Sequence, residues 1–496
     1  MFGHLEVYLV TVPSLSGSTA DGDVMLEPRL RTMWLANAAS AGAAVAVRTP
    51  RPLFALEARR EQRGARREQR EALLASDLEV VTVTDHSAVI TWTTRARNRA
   101  GRPRPVPADT EVRIGPADGR EPPRTWHFEG RRTAYHYAEI RNLEPGRTYR
   151  FEAYSDGTRA LPARTLVTRR SGTPESTGVF TTLTPPPGRL IRTLALANDL
   201  HYGEPASGLF AGLFEGLTGG AEEYPEFMLQ AMLDDLRLPD RAVDQLIVAG
   251  DMTDSGTAEQ CRGVRERLDE WGTLGRDYFV CRGNHDIRPP GEPDHWGEVF
   301  HPRDRLVEYF AGGMRLIGLD TTRPRGAGGT ISPPQLAHLR ELLRGEPDRP
   351  TLVFGHHPVT RHAAVSNPGG PGFVLDRFNA AAMHAMYATA PGVFLHHSGH
   401  THRNRLSRPD SRIGVEFLEV GAVKEYPGGY TLVRVYEGGY MVNFCKTRSE
   451  AARRWSTRTR SQYLGLHPDH ALGSLNDRNH VVLRDFSGLS GVPAAH

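Results

Sequence analysis

The stretch IRTLALANDLH, residues 191–201, decides the fold. Ile191 to Ala197 is a short, largely apolar run that stops abruptly at a carboxylate and an imidazole, Asp199 and His201. Such a run reads as a buried strand delivering a chemically active loop. The arrangement recurs downstream. Gln245 to Ala249 precedes Gly250-Asp251, and Tyr278 to Cys281 precedes Gly283-Asn284-His285-Asp286. Thr351 to Phe354 precedes Gly355-His356-His357, and Val393 to His396 precedes Gly399-His400-Thr401-His402. Met314 to Leu319 reads as a further strand, with helices over Phe227 to Leu236, Gln260 to Trp271 and Pro334 to Leu343. Strands alternating with helices define an α/β class. In such sheets, groups just beyond the carboxyl ends of strands converge on one crevice however far apart they lie in sequence. The glycines beside them permit the sharp turns that aim the next side chain inward.

The donor set is carboxylate, imidazole and amide oxygen, which suits catalytic divalent metals, and no thiolate accompanies it to suggest a structural zinc site. Cys261, Cys281 and Cys445 are odd in number and widely spaced, so they read as small core residues rather than a disulfide framework.

The ordered motifs D-x-H, G-D, G-N-H-D, G-H and G-H-x-H resemble the calcineurin-like metallophosphoesterase superfamily over Arg189 to Cys445. The resemblance implies a four-layer α-β-β-α sandwich. It also implies that Asp199, His201 and His402 hold one metal, that Asn284, His356 and His400 hold the other, and that Asp251 bridges them. Two cations roughly 3.5–4 Å apart need an anionic bridge, and a water shared between them becomes a hydroxide nucleophile near neutral pH. The expected cofactors are therefore two divalent or trivalent ions, Mn, Fe or Zn. His285 is placed to contact the phosphate or protonate the leaving oxygen, and Asp286 to orient it. His357, Arg403 and Asn404 are candidate substrate contacts, and Gly421 to Gly429 is a candidate border of the site. Purple acid phosphatases share the layout but carry a tyrosine ligand where this chain has Asp254, and they lack the histidine present here as His201. The pattern is closer to a bacterial phosphodiesterase-like branch, which points to phosphoric ester hydrolysis with diesters slightly favoured. Asp254 otherwise reads as the N-cap of the next helix. The alternatives are a scaffold that keeps the fold without chemistry, or a nuclease.

Ahead of this region, residues 78–183 show short alternating runs rich in Val, Thr, Tyr and Trp, a β-sandwich pattern with Trp92 as a core plug. Leu143-Glu144-Pro145-Gly146-Arg147-Thr148-Tyr149 is similar to the tyrosine corner of fibronectin type III modules. Residues 184–188, rich in proline, form a stiff linker to a catalytic domain over 189–446, and 447–496 reads as a polar tail with an arginine-rich helix near Ala451 to Tyr463.

Residues 1–77 form an extension. Within it, residues 29–47 resemble a signal-peptide core, so the compartment is cytoplasmic or exported, and no apolar stretch is long enough to span a bilayer. Arg48 to Arg70 carries eight Arg against three Glu. Without interleaved aromatics this is a solvated helix rather than a nucleic-acid platform. The formal charge of the chain is only +3, which argues against nucleic acid as a partner, whereas the resemblance implies a small phosphoester. Leu209 to Glu223, glycine-rich and apolar, is a candidate lid.

Overall fold

The computed structural model describes residues 72–489, apart from 99–100, 129, 131, 164–171, 208–223, 325, 409–412 and 461–467. The signal-like segment, the basic stretch 48–70 and the candidate lid 209–223 lie outside the described residues.

Two sheets make the β-sandwich. The first pairs β1 (Leu74–Val83), β2 (Ala88–Arg97) and β3 (Pro103–Pro105), with β6 (Tyr135–Ile140) also on β2. The second runs β5 (Arg124–His127), β4 (Glu111–Pro116), β7 (Thr148–Ser155), β8 (Thr158–Arg159), with β9 (Val179–Thr181) on β7. In β6 and β7 every second residue is buried, the alternation of strands with one face on a core. Trp92 fills that core and donates its indole N–H to Ser155 Oγ at 2.9 Å. The Tyr149 hydroxyl accepts from the Glu144 amide at 2.9 Å, the corner contact expected from the sequence.

The region after the sandwich contains two six-stranded sheets. In the first the order is β12 (Tyr278–Cys281), β11 (Gln245–Ala249), β10 (Leu190–Ala197), β19 (Gly429–Tyr436), β20 (Gly439–Lys446), β21 (Asn479–Leu483). In the second it is β13 (Val307–Ala311), β14 (Met314–Leu319), β15 (Thr351–Gly355), β16 (Val393–Ser398), β18 (Glu416–Glu419), β17 (Arg405–Ser407). Leu196, Ile247 and Phe279 of the first sheet meet Leu316, Phe354 and Phe394 of the second in one shared core. The opposite face of the first sheet packs on the helices Tyr224–Leu236 and Ala258–Trp271, and that of the second on Pro333–Gly345 and Arg377–Tyr387. The result is the four-layer α-β-β-α order. Central strands buried on both faces explain why they read as continuous apolar runs.

Two local expectations are corrected. The polar tail supplies β21, which pairs antiparallel with β20 and extends the first sheet, and its helix Glu450–Thr459 packs against Tyr224–Leu236 through Trp455 stacked on Tyr224. Five residues with mixed polarity on a sheet edge carry too weak a period to be read as a strand. The proline linker is also anchored at its end, where Pro187 O accepts from the Gly438 amide at 2.9 Å. Finally, the helix Ala258–Trp271 is capped by Thr257, whose side chain accepts from the Gln260 amide, which leaves Asp254 available for another role.

The sandwich is bonded to the first six-stranded sheet and to the segment that follows β20. The Thr82 hydroxyl donates to Phe444 O at 2.6 Å, and the Arg478 guanidinium donates to the Val80 and Val81 carbonyls. Buried Glu79 receives Lys446, Arg460 and the Tyr426 hydroxyl. Burial alone would raise the Glu79 carboxyl, but Lys446 and Arg460 outweigh it and hold it at about 2, against an ordinary value of 4.5. A depressed folded value stabilises fully above pH 4.5, and the contribution is lost as pH falls from 4.5 toward 2. Its upper bound is on the order of 3 kcal/mol, reduced because burial holds the Lys446 ammonium below its ordinary value. Glu79→Gln is thus expected to lower the urea midpoint at pH 7 and to flatten the acid branch of stability. Parallel pH curves for mutant and wild type would contradict this.

Candidate metal centre

Five loops meet at the carboxyl ends of β10, β11, β12, β15 and β16. Asp199 and His201 leave β10 and are pinned to the loop after β11: the Asp199 amide donates to Gly250 O, and the Leu200 and His201 amides to Asp251 O. Left-handed backbone concentrates here. Of the ten non-glycine residues with positive φ among the described residues, five are Asp199, His201, Asp251, His400 and His402. Such conformations persist only where the surroundings over-determine them, and they cluster at functional sites. The glycines act in two ways rather than one. Gly250 takes the left-handed turn at φ 82, whereas Gly283 is required by close approach, since a Cβ there would lie 2.1 Å from the Asp251 amide.

The expected ligands fall into two clusters that share Asp251. In one, His402 Nε2 lies 3.2 Å from Asp199 Oδ1, and His201 Nε2 lies 3.9 Å from Asp199 Oδ1 and 3.5 Å from Asp251 Oδ2. In the other, His356 Nε2 is 3.1 Å from each of Asn284 Oδ1, His400 Nδ1 and Asp251 Oδ2. Ligand atoms about 2.1 Å from one ion and at right angles across it lie about 3 Å apart, the spacing seen here.

Hydrogen bonding makes the same case for a cation. His356 Nδ1 lies 2.9 Å from Ala249 O, and a carbonyl only accepts, so Nδ1 donates and Nε2 turns its lone pair inward. That lone pair then faces two more oxygens and a nitrogen. His201 Nε2, which faces Asp199 and Asp251, is buried without a hydrogen-bond partner, an expensive arrangement unless a cation satisfies it. Without a metal, protons take its place. Burial would lower His356, but Asp251 holds its imidazole up at about 9; burial would lower His402, but Asp199 and Glu425 hold it up at about 10. These side chains fit divalent metal ions.

His285 is half-buried beside the shared carboxylate. Its amide donates to Asp251 Oδ1 at 2.8 Å, and its Nδ1 donates to Asp254 O at 2.7 Å. Its ring centroid lies 4.4 Å from that of His201. Asp286 does not orient it, contrary to expectation. The Asp286 carboxylate accepts from the Gly283, Met252 and Thr253 amides and the Thr253 hydroxyl, tying the loop after β12 to the loop after β11. Burial and the nearby Asp251 push that carboxyl up to about 6.

The three expected substrate contacts are all buried. His357 packs behind His356 and His400 with Nδ1 2.8 Å from Thr321 Oγ1, and burial lowers it to about 3. Arg403 forks onto Glu419, with Nε to Oε2 at 2.8 Å and Nη2 to Oε1 at 3.0 Å. Asn404 accepts from the Gly421 amide and donates to Leu472 O, anchoring the C-terminal segment. Proximity to a ligand in sequence suggests exposure to the crevice, but the polar atoms of these side chains are bonded to Thr321, Glu419, Gly421 and Leu472 instead.

Sequence reasoning passed over Glu425, Glu204 and Asn198. Glu425 Oε1 accepts from His402 Nδ1 at 2.8 Å, and Lys424 donates to both Glu204 oxygens at 2.7 Å. Asn198 Nδ2 donates to Asp199 Oδ2 at 2.5 Å. The available signal was Lys424-Glu425, an ionisable pair inside an apolar, glycine-rich stretch containing one of only two lysines in the chain.

Residues 192–404 match the family model of calcineurin-like phosphoesterases. The chain is 31% identical over 144 residues to a probable cyclic nucleotide phosphodiesterase of Synechococcus sp., covering 28% of this chain and 53% of that protein. It is 32% identical over 122 residues to a probable glycerophosphodiester phosphodiesterase of Arcobacter nitrofigilis, covering 24% of this chain and 43% of that protein. The chain spans about half the length of these curated relatives. Among solved structures it is similar to a dimetal phosphatase from Danio rerio, at 16% identity and a TM-score of 0.39, covering 52% of this chain and 96% of that one. Among the described residues no helix is long and apolar enough to cross a membrane.

Proposed function

We propose, from the match of residues 192–404 to the calcineurin-like phosphoesterase family model and the geometry of the site, that the chain hydrolyses small phosphodiesters at a centre holding two metal ions. The observation that carries this reading is that Asp251 Oδ2 stands between the two groups, 3.5 Å from His201 Nε2 and 3.1 Å from His356 Nε2, with His285 fixed beside it. Divalent cations held there supply charge for the phosphoryl oxygens and lower the pKa of water. Asp199, His201 and His402 would hold one, Asn284, His356 and His400 the other, and Asp251 both.

The protein's own groups do the rest. The Nδ1–H of His285 is committed to the Asp254 carbonyl, so Nε2 is the atom free to exchange a proton with the departing oxygen. Asp286 keeps the two loops in register so that Asp251 and Asn284 stay in reach of His356. Diesters are favoured by charge. Glu204 and Asp254 stand beside His201, and the nearby cations Lys424 and Arg403 are committed to Glu204 and Glu419. A monoanionic diester tolerates that rim better than a dianionic monoester. Burial and Glu204 hold the Asp254 carboxyl above its ordinary value.

The test is a panel of bis(p-nitrophenyl) phosphate, p-nitrophenyl phosphate, cyclic nucleotides and glycerophosphodiesters, assayed with Mn²⁺-loaded protein. Diesters should show the higher kcat/KM, and no turnover of any ester would end the proposal. Asp254→Asn is expected to shift the ratio several-fold toward the monoester by removing one rim charge, at about 1 kcal/mol of differential binding. An unchanged ratio would remove the charge argument.

A further inference from the structure

We infer that Glu425 is a positioning residue of the metal centre, acting through His402, and that the β-sandwich braces the loop that carries it. The inference rests on the reading of Asp199, His201 and His402 as metal ligands.

Glu425 is 3% exposed and both of its oxygens are committed. Oε1 accepts from His402 Nδ1 at 2.8 Å, and Oε2 accepts from the Ser207 hydroxyl at 2.7 Å. A carboxylate that receives Nδ1–H fixes the imidazole tautomer, so that Nε2, 3.2 Å from Asp199 Oδ1, presents its lone pair to the cluster. It also makes that nitrogen a stronger donor, because the imidazole shares its proton with an anion. The other cluster has no equivalent. There His356 is oriented by a neutral carbonyl, and the outer nitrogen of His400 has no hydrogen-bond partner. The two clusters are therefore built unequally.

The loop bearing Glu425 is held on two sides. Toward the site, the Val423 and Lys424 amides donate to the carbonyls of Asn198 and Asp199. Behind it, the Trp455 indole donates to Lys424 O at 2.8 Å, and the Tyr426 amide donates to Thr459 Oγ1 at 2.9 Å, both on the helix Glu450–Thr459. One residue past Glu425, the Tyr426 hydroxyl donates to Glu79 Oε1 at 2.8 Å, and Glu79 lies in β1 of the sandwich. A contact from the sandwich thus ends one peptide bond from the residue that sets His402.

The experiment is calorimetric titration of Mn²⁺ into metal-free protein, with Co²⁺ visible spectra as a second readout, on wild type, Glu425→Gln, Glu425→Ala and Tyr426→Phe. Wild type should show two binding events. Glu425→Gln and Glu425→Ala should weaken one of them by about 10- to 100-fold, leave the other in place, and change the Co²⁺ spectrum. Tyr426→Phe, which leaves Glu79 paired with Lys446 and Arg460, should weaken the same event by a smaller factor. Two unchanged events in folded Glu425→Gln would overturn the inference while leaving the metal reading intact. Should Glu425→Ala fail to fold, the Gln and Phe variants decide. A wild type that binds no Mn²⁺ would overturn the metal reading and this inference together.

Discussion

Asp251→Asn is expected to lower kcat/KM for diester hydrolysis by about a thousandfold, on the order of 4 kcal/mol of transition-state stabilisation. The substitution keeps the shape and keeps an oxygen for the His285 amide, now 2.8 Å from Oδ1. It removes the one negative charge that both clusters share. Oδ2 is 3.1 Å from His356 Nε2 and 3.5 Å from His201 Nε2, so no other described carboxylate can offset two cations from that position. Electrostatics sharpen the point: burial alone would raise the Asp251 carboxyl, yet His356 and His285 hold it well below its ordinary value. A neutral amide there should also reduce bound metal to about one equivalent, since the repulsion between two cations is no longer screened. Elemental analysis and steady-state kinetics on the same preparation read both effects. Wild-type rates in a folded Asp251→Asn protein would contradict the account.

His285→Ala should have the second largest effect, and its size should depend on the leaving group. General acid catalysis is worth roughly 10²- to 10⁴-fold when the departing oxygen is basic, and little when it leaves readily as an anion. Alkyl diesters should therefore lose two or more orders of magnitude in kcat, while bis(p-nitrophenyl) phosphate should lose far less. The geometry motivates this split. The ring sits 4.4 Å from that of His201 and close to the shared carboxylate, but its Nδ1 is spent on the Asp254 carbonyl. A ring beside the cluster with one nitrogen spent on a carbonyl and the other left to exchange suits proton delivery. Equal losses for both leaving groups would instead mark His285 as a phosphate contact or a ligand.

How much of this was legible in the sequence follows from what each signal encodes. Buried strands announce themselves by apolar runs, which is why β11, β12 and β14 begin and end where the pattern puts them. The residues proposed as ligands could be grouped from the sequence because strand ends are where distant loops of an α/β sheet converge. What failed depended on side-chain direction. His357, Arg403 and Asn404 adjoin or closely follow ligands, yet each is turned into the protein. Asp286 follows His285 but serves the backbone of a neighbouring loop. Glu425 was hidden for the opposite reason: its partner His402 is 23 residues away, and only the fold brings the two together. β21 was missed because an edge strand of mixed polarity lacks a period to detect.

The central claim is that activity belongs to a pair of metals bridged by Asp251, and it is tested most directly by titrating metal back into chelator-stripped protein while following bis(p-nitrophenyl) phosphate hydrolysis. The account predicts negligible hydrolysis without metal and a rise that levels off at about two equivalents of Mn²⁺ per chain. Full activity in the stripped protein, or a plateau at one equivalent, would contradict it.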